Sequence, residues 1–469
     1  MRAPPRGTLV LDVGSTNTKL VLFDGAGRLL GERRIESRHV PGPPYQHLDP
    51  EPALALLAAT IADFDALAPV DVIVPCAHGS ALALLDDSGD LALPVMDYFA
   101  EPPAAIAAAY RQIAPAFSEV FCPTNPMALT LGLQLFWQET AFPGEFAKVR
   151  TILPWGQYFA WRMSGRAVSG NTELGAQTQL IDVANNRFSS LARARRWDRL
   201  FAPAVRPYDT LGALKREFVS TPLTGRREIK AGIHDSNANY LRYLAAGLGD
   251  FTLLSTGTWI IIFDTKSGLA GLDPGRDTAT NTDLFSRPVA CSRFMGGQEI
   301  AAIEAGAPTG SGTAEALSQL IRRGTFALPS FSDSGGPMPG SGGQGRIVGP
   351  PPQADAERSA LGALYSALMV DQSLDAVGSV SEIIVDGPFG ENALFAAALA
   401  ALRIPQRVLK SDLRDGTAAG AALLARISGE ADMPRLTLDL TPVAPLDEPR
   451  LLGYRDAWLA QATATASAS

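Results

Sequence analysis

The chain has 469 residues, 46% hydrophobic and 19% charged, and its 40 basic and 48 acidic side chains give a net charge of −8. That length leaves room for two or three domains with their own cores, and an acidic balance without a long basic run speaks against a nucleic-acid or anionic-membrane partner. Cys76, Cys122 and Cys291 are far apart with no CxxC spacing, the opening MRAPPRGTLV holds no signal-peptide core, and no uncharged run reaches membrane-spanning length, so a cytoplasmic protein without zinc or disulfides is expected.

Leu9–Asp24 (LVLDVGSTNTKLVLFD) reads as a buried β-hairpin, two apolar runs around a small polar centre. Gly14 lets the backbone come close to a ligand, and the groups of Ser15, Thr16 and Asn17 can donate to phosphate oxygens. Asp12 is placed to hold a divalent cation, and Lys19 adds a positive charge at the far end. Together these suit a magnesium–nucleotide phosphate; an ordinary edge hairpin with a polar turn is the competing reading.

A third strand is expected over Arg28–Arg34, a loop over His39–Gln46 and a helix over Pro52–Leu67. Val70–Pro75 reads as a buried strand ending at Cys76-Ala77-His78-Gly79-Ser80. Open α/β sheets gather ligand groups at such strand ends, which makes His78 and Gly79 candidates. A satisfied structural histidine is the alternative. Further strands are expected at Ala81–Asp86 and Pro94–Asp97. Pro103–Gly165 reads as mostly helical, with Trp137, Trp155 and Trp161 as core or cleft-wall groups. Asn171–Leu180 (NTELGAQTQL) could line a polyol pocket, with a solvated turn as the preferred alternative. Ile229–Asn239 reads as a short strand, a glycine, and then Asp235 opening a helix to Ala246. Asp235 is either a plain cap or a general base near a sugar hydroxyl.

Thr252–Asp264 (TLLSTGTWIIIFD) repeats the design of the opening stretch with a shorter turn, setting Gly257 against Gly14. Two such hairpins suggest a duplicated fold with a nucleotide between its halves and a boundary near Leu244–Asp250. Phe294–Glu299 (FMGGQE) precedes a helix that brings Gly297 toward the nucleotide. Pro329–Gly349 is a long Gly/Pro/Ser loop, expected to be mobile or cleft-facing. A helix is expected over Ala356–Val377. Ile383–Val385 is a strand running into Asp386-Gly387-Pro388-Phe389-Gly390-Glu391-Asn392 and an Ala-rich helix, a layout that suits a nucleoside resting on backbone. Asp415–Ala422 opens a helix of small residues. Beyond Met433 the chain is Pro-rich, with a helix near Leu452–Gln461 and a fraying ATATASAS end.

With these residues assembled, the chain resembles the FGGY carbohydrate kinases of the actin-like ATPase superfamily, in order and over nearly its full length. Asp12–Lys19 looks like the first phosphate motif, Ser255–Thr258 like the second, and Gly387–Asn392 like the adenosine motif. Gly232–Asp235 is similar to the segment whose aspartate is the catalytic base, and His78-Gly79 to the sugar-side pair. The STGTW and FMGGQE wording leans toward rhamnulose and fuculose kinases.

The resemblance implies an α/β fold of two duplicated actin-like ATPase (ribonuclease H-like) domains with a nucleotide cleft between them. Residues 1–246 would carry the sugar side, the first phosphate motif and the catalytic aspartate. Residues 247–435 would carry the second phosphate and adenosine motifs, and 436–469 a C-terminal extension. It implies ATP-dependent phosphorylation of a sugar hydroxyl, a ketose before others, with ATP and Mg2+ as cofactors. Asp235 would be catalytic and Asp12 would hold the metal. Gly14, Ser15, Thr16, Asn17, Lys19, Thr256, Gly257, Thr258, Gly297, Gly387, Pro388 and Asn392 would meet the nucleotide. His78, Gly79, Asp97, Asp235 and Asn237 would meet the sugar.

Three places depart from the family pattern: Gln134 stands where a lysine often precedes an aromatic pair, no arginine follows Asp97, and the adenosine turn reads DGPFGEN. The sugar, the phosphorylated carbon and the oligomeric state, a homodimer included, stay open. The alternatives are a chaperone- or filament-like ATPase of the same superfamily, which needs neither Asp235 nor His78-Gly79, and a catalytically silent sugar-binding regulator. The intact base and phosphate motifs speak against the regulator.

Overall fold

The computed structural model of the protein describes residues 5–411 and 416–466. It divides into two compact units: Met1–Gly247 with Thr280–Pro288 and Asp415–Leu436, and Leu248–Ala279 with Val289–Arg414 and Thr437–Ser469.

In the first unit β1 (Gly7–Val13) pairs antiparallel with β2 (Asn17–Asp24), and β2 antiparallel with β3 (Leu29–Glu36). On its other side β1 runs parallel to β4 (Val70–Ala77), and β4 parallel to β5 (Glu228–Lys230). The strands read as unbroken apolar runs because helices cover both faces of the sheet. Side-chain alternation sorts those faces. Leu9, Leu11, Leu20, Leu22 and Ile73 meet Leu54, Leu57, Ile61 and Phe64 of α1 (Glu51–Leu67). Val10, Val21, Val72, Val74 and Cys76 share a core with Ala238, Leu241 and Ala245 of α2 (Asp235–Ala246) and with Ala418 and Ala421 of α3 (Gly416–Ala422). Gly420 permits that contact, since a Cβ there would lie 1.8 Å from the Ala238 carbonyl oxygen.

The second unit repeats the strand path. β6 (Phe251–Thr256) pairs antiparallel with β7 (Ile260–Asp264), and β7 antiparallel with β8 (Pro288–Phe294). β6 runs parallel to β9 (Glu382–Asp386), and β9 parallel to β10 (Val408–Ser411). Leu254, Ile260, Ile262, Ile383 and Val385 pack with Leu361, Leu364 and Leu368 of the helix Asp355–Val377. The helix Leu451–Ala466 closes the same core through Trp458, 0% exposed, whose Nε1 donates to the Ala327 carbonyl at 2.7 Å. Among the described residues no helix is long and apolar enough to cross a membrane.

Several expectations are corrected. The two hairpin turns are equal in length: Gly14–Thr16 lies between Val13 and Asn17, and Gly257–Trp259 between Thr256 and Ile260. The polar Asn17, Thr18 and Lys19 are not turn residues but the paired start of β2. Thr151–Pro154, expected to be helical, is a strand pairing with Leu82–Leu85. Asn171–Leu180 is largely buried rather than a solvated turn. The loop Pro329–Gly349 is pinned rather than loose. Ser332 Oγ donates to Glu299 Oε1 at 2.8 Å and the Phe331 amide to Glu299 Oε2 at 3.2 Å, while Met338 enters the core. The segment through Leu436 packs with the first unit by way of α3, and the C-terminal segment packs with the second. The terminal helix runs on to Ala466; Asp415 and the last three residues of the expected fraying tail lie outside the described residues.

Candidate active site

Three parallel strands of the first unit end level with one another. β1 pairs Val13 with Ala77 of β4, and the short strand Ile233–His234 pairs His234 with the same Ala77. The residues that follow are Gly14, His78 and Asp235, side by side at the carboxyl edge where open α/β sheets hold ligands. Asp12 stands just before that edge, opposite Lys19 in the β1–β2 ladder, so both side chains leave the sheet on one face. These groups also share a field. Burial pushes the Cys76 thiol up, and the carboxylates of Asp12, Asp235 and Glu173 add to that effect.

The Gly14–Thr16 turn has its carbonyls tied back. Ser37 Oγ donates to Gly14 O at 2.7 Å, the Ser37 amide to Thr16 O at 3.0 Å, and His39 Nε2 to Ser15 O at 2.7 Å. The Gly14 amide closes onto Asn17 O at 3.0 Å, whereas the amides of Ser15 and Thr16 meet no acceptor among the described residues. Such a turn offers N–H groups to an anion and turns its carbonyls away. Arg34 Nε donates to the Asn17 side-chain oxygen at 2.9 Å. Among the described residues no cluster of His, Cys, Asp or Glu could cage a metal ion. The single buried carboxylate of Asp12 beside the turn fits instead a magnesium ion that keeps water and phosphate as its other ligands.

Asp97 is held by groups of its own chain. It is 0% exposed and accepts from His39 Nδ1 at 2.6 Å, from Gln46 Nε2 at 2.9 Å and from the Phe99 amide at 3.1 Å, so it anchors the loop. His78, 6% exposed, bonds the Gly79 carbonyl through Nδ1 at 2.7 Å. Its ring packs 5.6 Å from Tyr98 and 6.4 Å from Trp155. Burial lowers its pKa and keeps the ring neutral. Trp155 Nε1 is buried without an acceptor among the described residues, and so could receive a hydroxyl of a polyol. Gly79 makes room for His234, since a Cβ there would lie 2.7 Å from His234 Nε2.

Asn237 serves His234. Its amide donates to Thr282 O at 2.6 Å, which leaves its side-chain oxygen to accept from His234 Nδ1 at 2.8 Å. His234 Nε2 then faces Asp235 Oδ1 at 3.3 Å. Asp235 Oδ1 also accepts from the Ser236 amide at 2.5 Å and from its hydroxyl at 3.1 Å. Oδ2 has no donor among the described residues, and the side chain is 30% exposed. A carboxylate held by one oxygen and open at the other is the arrangement a general base needs. Beneath it Glu173 is buried and held neutral-leaning by that burial, with Gln157 and Thr172 donating to it.

In the second unit the Gly297 amide donates to Thr258 O at 3.1 Å, and the Gly257 amide closes onto Trp259 O at 2.9 Å. The helix Gly296–Glu304 therefore begins against the hairpin turn, with Thr258 exposed at its tip. Thr256 is occupied elsewhere: its hydroxyl donates to Asp386 O at 2.6 Å and accepts from the Phe389 amide at 3.2 Å. That locks the turn from Gly387 to Asn392. Gly387 has a φ of 91°, and a Cβ there would meet Thr256 O at 2.2 Å, so only glycine fits. Pro388 is exposed. Asn392 caps the helix Ala393–Leu402 through the Phe395 amide at 3.1 Å, and its buried Nδ2 meets no acceptor among the described residues.

Glu173 sits in the polar run Asn171–Leu180, which was a signal; His39 and Tyr98 had none.

A carbohydrate kinase from Novosphingobium aromaticivorans is 33% identical to this chain, covering 98% of it and 99% of its own length, with a TM-score of 0.86. A gluconate kinase from Lactobacillus acidophilus (14% identity, 98% of each chain, TM-score 0.80) and a xylulose kinase from Rhodospirillum rubrum (18%, 99% of this chain and 98% of that one, 0.76) share the fold. The family described as carbohydrate kinase FGGY, C-terminal domain, matches residues 248–433. No curated protein sequence matches the chain. With the α/β fold and the full-length similarity together, the chain belongs to the FGGY family of carbohydrate kinases, enzymes that phosphorylate sugars at the expense of ATP.

Proposed function

We propose that the protein transfers the terminal phosphoryl group of ATP to a primary hydroxyl of a ketose or similar open-chain polyol, with Asp235 as the general base. The observation that carries this reading is the level ending of the three parallel strands, which sets a phosphate-ready turn, a neutral histidine and a half-open carboxylate in one row. The Ser15 and Thr16 amides and Lys19 would meet phosphate oxygens. Within the second unit, the Thr258 turn and the Gly387–Asn392 turn would be nucleotide-binding groups, and the orphaned Asn392 amide fits an acceptor on adenosine. Magnesium arriving with the nucleotide would be held by Asp12 and would offset phosphate charge.

As the new O–P bond forms and the bond to the ADP oxygen breaks, Asp235 Oδ2 takes the hydroxyl proton. Phosphoryl transfer needs mainly alignment and charge neutralisation, which this row of groups supplies. The test is a panel of ketoses, aldoses, polyols and sugar acids in an assay coupled to ADP release, with the product carbon read by phosphorus-coupled NMR. A ketose phosphorylated at a primary carbon should give the highest kcat/KM. Preference for a sugar acid or an aldose would overturn the substrate class.

A further inference from the structure

His39 has only acceptors at its two nitrogens. Nδ1 lies 2.6 Å from Asp97 Oδ2, and Nε2 lies 2.7 Å from the Ser15 carbonyl oxygen. Asp97 is not the donor in the first contact. Gln46 Nε2 donates to the same Oδ2 at 2.9 Å and the Phe99 amide to Oδ1 at 3.1 Å, so both carboxylate oxygens act as acceptors. A neutral imidazole carries one N–H and would turn a lone pair on one of these oxygens, so both bonds together require the imidazolium.

The other groups nearby are accounted for. Arg38 and Asp49 pair with each other at 3.0 Å. His47, on the strand paired with His39–Val40, bonds the Tyr45 carbonyl at 2.9 Å. The Phe99 ring packs 6.4 Å from the imidazole, and Tyr98 donates to Ser15 Oγ at 2.9 Å. Asp97 is thus the charge that faces His39. Burial works against the imidazolium, but the bonds to Asp97 and Ser15 prevail and raise its pKa.

We infer that His39 is a positioning residue of the nucleotide site: its imidazolium bridges buried Asp97 and the Ser15 carbonyl, and so holds the Gly14–Thr16 turn in its phosphate-receiving form. The inference rests on the proposed role of that turn. When His39 loses a proton, the charged acceptor Asp97 keeps the remaining N–H, because bonds to ionised partners are the stronger ones. The Ser15 carbonyl is then released, and can swing toward the space where the phosphate would lie. ATP binding weakens as the pH rises through the His39 titration, and the chemical step at Asp235 is not directly touched.

Two measurements on the full chain test this. Ring nitrogen NMR shifts of His39, assigned by their loss in His39→Leu, report its protonation without turnover, and both nitrogens should be protonated at neutral pH. A neutral ring there would overturn the inference. The second is KM for ATP between about pH 6 and 9, across the range in which histidine titrates. Wild type should show a rise of about tenfold, the worth of one charge-assisted hydrogen bond. His39→Leu should sit at the high value throughout, and His39→Gln, whose amide can reach Ser15, should recover a lower and pH-independent KM. A merely structural histidine would change the yield of folded enzyme and leave the same pH step in all variants, which would contradict the clamp. If Gly14→Ala raises the ATP KM while wild type shows no pH step, the turn receives phosphate and His39 is not its clamp. If Gly14→Ala leaves the ATP KM unchanged, the reading of the turn fails and the inference falls with it.

Discussion

Alanine at position 14 is a one-methyl perturbation whose effect follows from the geometry of the turn. A Cβ there lies 2.9 Å from the Asn17 carbonyl oxygen, the same atom that accepts from the Gly14 amide at 3.0 Å. The turn cannot relax freely, because Ser37 and His39 hold the carbonyls of Gly14, Ser15 and Thr16. The closing bond is therefore expected to open, costing about 0.5–1.5 kcal/mol of stability. Opening it misdirects the Ser15 and Thr16 amides. A hydrogen bond to a charged acceptor is worth about 1.5–3 kcal/mol, so losing one weakens ATP binding about ten- to a hundredfold. Calorimetric titration with ATP, alongside thermal unfolding, separates the two costs. A lowered melting temperature with ATP affinity unchanged would show that this turn holds no phosphate.

Three further outcomes are expected. Gly420→Val must push α3 off α2, since a Cβ would already lie 1.8 Å from Ala238 O; overpacking of this kind costs about 1–3 kcal/mol, and an unchanged melting temperature would refute the tight contact. Trp458→Ala removes a fully buried ring and its bond to Ala327 O from the second unit's core, at a cost of about 3–5 kcal/mol readable by denaturant unfolding. A loss within error would mean that the terminal helix is dispensable. Folding raises the His39 pKa above 6.5, so its stabilisation is complete below pH 6.5 and is lost as the pH rises through the folded value. His39→Leu should flatten that alkaline fall in melting temperature, and an identical fall in the variant would assign it to other groups.

The elements that could be read from the chain are those whose signal is local. β1–β2 and β6–β7 announce themselves as apolar runs around a glycine, and α2 begins where Asp235 follows a short strand. What could not be read depends on partners distant in sequence. Asp97 looks like an accessible carboxylate until His39 and Gln46 fold over it. The Pro329–Gly349 loop looks loose because Glu299, which holds it, lies on another element. Asn17–Lys19 look like turn residues because polarity masks a strand whose pairing is set by β1. The return of α3 to the first unit rests on glycines that matter only once Ala238 and Arg242 are against them. Asn392 and Asn237 were marked for ligands by type; their side-chain oxygens turn out to hold a helix end and His234.

The sharpest test of the account is the rate of phosphoryl transfer in a single turnover by Asp235→Asn with the best sugar. Asparagine keeps the oxygen that receives the Ser236 amide and hydroxyl, so folding and ATP affinity should persist. The account predicts a transfer rate lower by about 10²–10⁴-fold with ATP binding intact. Transfer at the wild-type rate by a folded, ATP-binding Asp235→Asn enzyme would contradict it.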